Sequence, residues 1–537
     1  MTQQLHWSMA GKERRPLLPA MLVLSAFFCS EAAWAQGGSF GIDDTVGNFP
    51  VVAFPPGNPP TRAKIELGKA LFFEEQLSSD NTMACATCHL SEFGGAAPSS
   101  TATAPGADGQ FGTADDIFGS PGMVAQDRNS DYVHNSFHGF DRQVTNRTAP
   151  SVIGAAFFSF LLWDMSAGPQ FRDLQGNIVL PQTATLESQA VLPFLSSVEM
   201  AHADRTWDQI TNKLASVRPL ALASDIPASL SHFLRDSVSY QELFERAFGT
   251  PGITRERIAM AIASYERVLV ADQTPFDLGT MSPAQIRGLN VFLTRGFCAS
   301  CHRISNRLFS DGRPHNIALP NHLRAVKTPS LRNVGLRKRF MHSGQFSSLE
   351  QVLQHYKNIT FFEPASAAEE QDLIAFLSAG LTDHRVLNRQ APFDRPTLNS
   401  ERQPMHSNLY GKGSAGTGGV TPIMIAHAPA NVGNADFKVG IGKALGGSIA
   451  ILGASHAALP VGTNVGGIPV LIDQFEGSAV VLPLAAPGSS GATATFKLPI
   501  AADQSLAGAE VFTQWFVLDP NAVGGVATTR AARFLAF

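Results

Sequence analysis

Two five-residue stretches carry the chemistry of this chain: "CATCH", beginning at Cys85, and "CASCH", beginning at Cys298. Each sets two thiols three residues apart with an imidazole directly after. Three chemistries use such cysteines. A zinc knuckle needs four ligands, usually two Cys pairs close enough to meet. A redox dithiol of the thioredoxin kind has no need of an adjoining histidine. CxxCH is the spacing of covalent haem c attachment. There the thiols add to the two vinyl groups of one porphyrin, and the histidine faces the iron as proximal ligand. Of the 5 cysteines, Cys29 falls in a leader-like stretch, and the two motifs consume the rest. The sequence therefore predicts two haem c groups, held by Cys85/Cys88 and by Cys298/Cys301, with His89 and His302 on the irons.

The elements that must position these groups are spread over 537 residues, enough for two to four domains. The net charge of -4 argues against nucleic acid as a partner. Lys12, Arg14 and Arg15 precede the apolar run "LLPAMLVLSAFF", and Ala33-Trp34-Ala35 offers small residues for cleavage before Gln36. That pattern predicts a signal peptide over 1–35 and an exported, periplasmic protein. The run is short for a membrane anchor and Glu31 interrupts it. Phe28 is bulky where a lipoprotein signal needs a small residue before Cys29. No later segment is apolar and long enough to span a membrane.

Each motif follows a similar amphipathic helix. Thr61 caps the first, with Ile65, Leu67, Leu71 and Phe72 on helical spacing. Ser282 caps the second, Pro283 opens it, and Gly296 is a candidate stop. Both carry Gly-x-x-aliphatic-Phe, from Gly68 to Phe72 and from Gly288 to Phe292. This weak repeat predicts two related, mainly α haem domains, over 36–270 and 271–400. Between them and the chain end, 401–422 reads as a linker. Short β-branched runs such as "GSIAILGAS" and "AEVFTQWFVLD" then predict a C-terminal all-β, sandwich-like domain over 423–537. Asp108, Asp115 and Asp116 lie among glycines in a polar insertion, which suits either a calcium loop or a solvated one.

From about Pro60 to Asp383 the sequence resembles the bacterial diheme cytochrome c peroxidase family, which includes the MauG-type enzymes. The resemblance rests on "ELGKALFFEEQLSSDNTMACATCHLSEFGG", "NRTAPSVIGAAF", "LWDMSAG", "LESQAVLPFLSSVEMAH" and "VKTPSLRNVGLRKRFMHSGQFSSLEQVLQHY", in the family's order. It implies that the first haem is the peroxide site. Gln189 and Glu199 match the distal glutamine and acid, and Pro193 a distal-pocket proline. Trp163 matches a tryptophan between the haems. A carboxylic acid over the iron suits peroxide cleavage, because a proton must pass from one oxygen to the other. Fourteen residues after His342, where family peroxidases usually carry methionine, stands Tyr356, as in the MauG-type enzymes. The resemblance thus implies Tyr356 as sixth ligand of the second haem, with Met341 and His355 as nearby competitors. A phenolate there would lower the haem's potential, where methionine raises it.

For the sixth position of the first haem, "DYVHNSFHGFD" offers His134 and His138, though not at the usual spacing. Without either, the peroxide site is permanently open. Arg332 is a candidate partner for a haem propionate. Calcium between the domains is a further family feature, weakened here by "LRKRF" and by Thr148 at positions where other residues are usual. The segment after Trp163, "PQFRDLQGNIVLPQTAT", is longer than in the short peroxidases. Three functions follow as expectations. The first is a peroxidase taking electrons from a small cytochrome c or a cupredoxin to reduce hydrogen peroxide. The second is a MauG-like oxidase that uses peroxide on an organic or protein substrate. The third is an electron-transfer cytochrome, against which the Gln189/Glu199 pair argues. A homodimer is compatible with each.

Overall fold

The helix Arg62–Phe72 begins where Thr61 Oγ1 accepts a hydrogen bond from the Lys64 amide. It crosses the helix Arg255–Glu266 at Gly68, where a Cβ would stand 1.8 Å from the Ala261 carbonyl oxygen. The second helix, Pro283–Leu293, is capped by Ser282, with Gln285 reciprocating. It crosses Ala367–Ala375 at Gly288, where a Cβ would lie 1.9 Å from the Asp372 carbonyl oxygen. The repeated glycine therefore marks a helix crossing, made twice. The second helix ends at Leu293, before the expected stop at Gly296.

The structure is a computed structural model and describes residues 49–98, 103–235, 237, 239–319, 325–359, 366–402, 407–473, 480–483 and 491–537. The leader expected over 1–35, with Cys29, lies outside the described residues. Among those described, no helix is long and apolar enough to cross a membrane.

The haem region is less helical than its helix patterns suggest, and the described residues are 29% helical. Both motifs form single turns, Cys85–Cys88 and Cys298–Ser300. Small antiparallel pairs fill the space between helices: Pro121–Val124 with Arg142–Val144, Phe171–Arg172 with Ile178–Leu180, and Pro314–His315 with Val326–Lys327. Two loops mirror one another across the centre. Leu161 bridges Ala167 and Phe340 bridges Phe346. Each loop turns through left-handed residues, Leu162 and Met165 in one, Met341 and Gly344 in the other. The loops are stitched reciprocally to the opposite half: Lys327 N donates to Trp163 O at 2.9 Å, and Thr148 N to His342 O at 2.8 Å.

The C-terminal region is a sandwich of two antiparallel sheets. The five-stranded sheet runs Val480–Pro483, Ile449–Ser455, Glu510–Leu518, Val526–Leu535, Ser407–Tyr410. The three-stranded sheet runs Ala492–Lys497, Lys438–Ala444, Ile423–Ile425. Val439 and Ile441 from one sheet and Trp515, Val517 and Phe534 from the other share one core. Ser407–Tyr410, inside the stretch that reads as a linker, supplies the edge strand, and Ser414 pairs with Thr528.

This sandwich grips the first haem region. Tyr132 and Phe140 pack with Val124 and Ile425. Their rings press on Gly440 and Gly442, where a Cβ would meet them at 2.7 and 2.4 Å. A glycine within a strand here permits close approach. Tyr132 N donates to Thr495 Oγ1 at 2.8 Å. Lys438 is 1% exposed, and its Nζ donates to Gln126 Oε1 and Ser130 Oγ, both at 2.6 Å. Gln126 in turn donates to Asp80, five residues before Cys85.

Candidate haem sites and the peroxide pocket

The first motif opens onto a cavity of about 250 Å³ whose walls include Cys85, Cys88, His89, Gln189, Pro193 and Glu199. His89 Nδ1 lies 3.2 Å from Gly95 O, and His302 Nδ1 lies 2.8 Å from Phe309 O. A carbonyl on Nδ1 fixes the tautomer and leaves the Nε2 lone pair for a metal. Burial lowers both imidazoles to about 4, which keeps them neutral as ligands must be. The four thiols form no disulfide. Burial pushes Cys88 and Cys298 up to about 12, so these are protonated thiols in an apolar setting, not activated thiolates. Among the described residues no group of three or more His, Cys, Asp or Glu is placed to hold a bare metal ion. Two cysteines and one oriented histidine beside a roomy, mostly apolar cavity fit a haem and do not fit a zinc site.

The distal wall is built from three short pieces. Gln189 lies on the helix Thr185–Ala190, which a buried pair holds in place: Arg267 forks onto Glu187, with both bonds at 2.8 Å. Pro193 opens the next turn, Pro193–Leu195. Glu199 lies on the turn after it, whose backbone is pinned by Met123 N to Val198 O at 2.8 Å and by Gln143 Nε2 to Ser197 O at 2.9 Å. Both anchors belong to the strand pair that packs on the sandwich. Burial raises the Glu199 carboxyl above the usual carboxylate range, against the opposing Ser196 hydroxyl. The structure thus brings Gln189, Glu199 and the first motif to one cavity.

Trp163 is buried and lines the same cavity. Its Nε1 donates to Thr148 O at 2.8 Å, and its ring lies 6.2 Å from that of His342, its counterpart in the mirrored loop. It also borders the space beside Pro329 and Ser330, next to the His302 segment. Tyr356 lies on the helix Leu349–Asn358 and packs in the same core as Cys298. Burial raises its hydroxyl well above the ordinary tyrosine value, and the Cys298 and Cys301 thiols add to this. Of the competitors, His355 is engaged by Ile317 O at 2.8 Å, and Met341 borders a space on the Trp163 side.

Three expectations meet a different arrangement. Arg332 is 4% exposed and already engaged. Its guanidinium forks onto Asp277 at 2.7 and 2.8 Å and donates to Ala271 O and Arg307 O, leaving it no free fork for a propionate. His134 and His138 do not line the cavity. They pack on Phe140 and Phe111, in the loop that the sandwich grips. The carboxylates of the aspartate-rich loop serve its own turns: Asp108 accepts from Gln110 N, Asp115 from Thr113 Oγ1, and Asp116 from Gly112 N. Glu266, which sequence reasoning missed, also lines the cavity. It is 3% exposed, and burial pushes it up to about 8. A charged residue closing the otherwise uncharged run "IAMAIASYE" is the signal that could have found it.

Two linked halves, each with a CxxCH turn and an oriented histidine, one with an acid and an amide over its cavity, define a diheme enzyme of the cytochrome c class. Residues 62–282 match the di-haem cytochrome c peroxidase family, whose named members are oxidoreductases. The methylamine utilization protein MauG of Methylophilus methylotrophus is 28% identical over 409 residues, covering 69% of this chain and 97% of the relative. Cytochrome c551 peroxidase of Pseudomonas aeruginosa is 25% identical over 370 residues, covering 64% and 84%. A solved MauG-like protein associated with microbial copper homeostasis is 21% identical, covers 65% of this chain and 97% of its own, and has a TM-score of 0.44. The matched family implies two haem c groups.

Proposed function

We propose that this chain is an exported diheme peroxidase that reduces hydrogen peroxide to water, with electrons from a small cytochrome c or a cupredoxin. In this reading the leader over 1–35 directs it to the periplasm. The haem domains span 36–270 and 271–400, and 423–537 is an accessory β domain. The overall reaction takes one peroxide, two electrons and two protons to two waters. The haems would supply an iron on which peroxide binds and a route for electrons. Cys85, Cys88 and His89 would hold one, and Cys298, Cys301, His302 and Tyr356 the other.

Glu199 takes the proton from the near oxygen of peroxide and returns it to the far oxygen, which leaves as water. Its raised pKa suits this, because an acid that ionises too readily returns a proton poorly. Gln189 orients the peroxide by hydrogen bonding. Trp163, packed between the halves and tied to both, is the bridge for electrons. The observation that carries the reading is the placing of Glu199 and Gln189 over the cavity that holds His89.

A general acid–base contributes roughly 10²–10⁴-fold in rate. Glu199→Gln should therefore cost peroxide turnover about that factor while leaving two haems per chain. Unchanged turnover would remove Glu199 from the mechanism. The second reading, a MauG-like oxidase acting on an organic or protein substrate, is favoured by Tyr356 beside Cys298. In that case peroxide reacts quickly with the fully oxidised protein, with no prior reduction.

A further inference from the structure

Beside Trp163, between the His89 and His302 segments, lies a second cavity of about 40 Å³. One water needs about 10–15 Å³ of such space, so roughly three waters or one carboxylate group would fit. Its walls include Pro150 and Ser151 from the first half, and Lys327, Pro329, Ser330 and Arg337 from the second. Lys327 is 8% exposed, and the contact of its ammonium is with the Phe158 ring, 3.7 Å from the centroid. Arg337 gives one bond to Ser330 O at 3.3 Å, and its Nε is buried without an acceptor. Among the described residues neither cation has a carboxylate within 4.0 Å.

The candidate carboxylates nearby are spoken for. Asp164 holds Arg147 at 2.7 Å, and Asp311, which attracts Lys327 only from beyond ion-pair distance, holds His315 at 2.8 Å. Burial lowers Lys327 to about 8 and Arg337 to about 10. A buried lysine and, beside it, a half-buried arginine whose Nε is buried, both short of anions, carry a desolvation cost, which a ligand anion would offset. Arg332 offers no such deficit, since Asp277 already neutralises it.

We infer that this cavity is a carboxylate pocket, in which Lys327 and Arg337 bind a haem propionate between the two halves. The inference rests on the diheme reading. It places the propionate contact on residues that sequence reasoning left out, five residues either side of Arg332. It also sets a fixed positive charge beside Trp163. A cation next to a propionate favours the reduced haem, whose net charge is one unit more negative, so loss of the cation lowers that haem's potential.

The test is spectropotentiometric titration of the purified holoprotein, with haem counted per chain. Lys327→Gln should keep two haems and lower one midpoint potential, and Lys327→Arg should restore it. Arg337→Gln should lower the same potential, which gives an independent variant if the first does not fold. Added acetate should not alter the shift. Both potentials unchanged in Lys327→Gln and Arg337→Gln, with two haems bound, would overturn the assignment. A shift that appears only with acetate would also overturn it, because the pocket would then take a carboxylate from solution. A wild-type chain without haem would instead refute the diheme reading.

Discussion

The distal helix Thr185–Ala190 depends on one buried ion pair, and Glu187→Gln tests that dependence. The Glu187 and Arg267 side chains are 0% and 2% exposed. Arg267 makes two bonds to Glu187 at 2.8 Å, and Asn58 Nδ2 donates to the same carboxylate at 2.9 Å. Glutamine keeps the shape but removes the charge and turns one acceptor into a donor that faces the guanidinium. The Arg267 charge then stays buried with no counter-charge, held only by the remaining amide oxygen and the carbonyls of Ala53 and Thr183. Breaking one side of such a pair costs about 3–5 kcal/mol, a large part of the ~5–15 kcal/mol that holds a typical domain folded. Urea unfolding followed by far-UV circular dichroism reads this as a lowered midpoint at constant slope. Gln189 lies two residues along the helix, so peroxide turnover per bound haem should fall as well. Asp204→Asn at the exposed Arg128–Asp204 pair serves as the control and should change little. If Glu187→Gln is no more destabilising than that control, the claim that this pair positions the distal helix is wrong.

Three further outcomes follow from the geometry. Gly68→Ala and Gly288→Ala should each destabilise by about 1–3 kcal/mol, because the new methyl meets a backbone carbonyl. That outweighs the ~1 kcal/mol alanine gains in a helix, and a rise in the urea midpoint would contradict the crossing geometry. Glu266 is pushed up to about 8 by burial first, with Arg267 opposing and Glu187 adding. A raised acid binds its proton more tightly when folded, so its contribution to stability is full below about pH 4.3, the unfolded value. It falls as pH rises through about 8 and is flat above that. Glu266→Gln should remove that slope from a stability–pH profile, and an unchanged slope would assign it to other groups. Tyr356→Met should raise the midpoint potential of the second haem, and an unchanged potential would exclude Tyr356 as its ligand.

The two CxxCH motifs were legible because the pattern is local and needs no tertiary context. The two helix crossings were half legible: the glycines repeat in the sequence, but the carbonyls they meet, on Ala261 and Asp372, do not announce themselves. Glu199 and Gln189 were reached through family resemblance, since a glutamate and a glutamine on short turns carry no signal of their own. Arg332 misled because its partner Asp277 lies 55 residues earlier. Only folding shows that this arginine is satisfied while Lys327 and Arg337 are not. The helical content was overestimated because two-residue pairings such as Pro314–His315 with Val326–Lys327 are too short for any periodicity to register. The grip of the sandwich on 126–140 was beyond reach for a similar reason, since Lys438 and Gln126 are 312 residues apart.

That separation bears on how the protein is made. Contacts between Tyr132 and Thr495, and between Lys438 and Gln126, close loops of 363 and 312 residues. Closing loops of that size delays the contacts they reward. During vectorial synthesis the Asp80–Gln126 platform emerges long before the strand that covers it. Until that strand arrives, Cys85 and Cys88 stand on an unfinished, accessible surface. The last hundred or so residues then act as a closing clasp, the last part of the fold to lock over the first motif's platform.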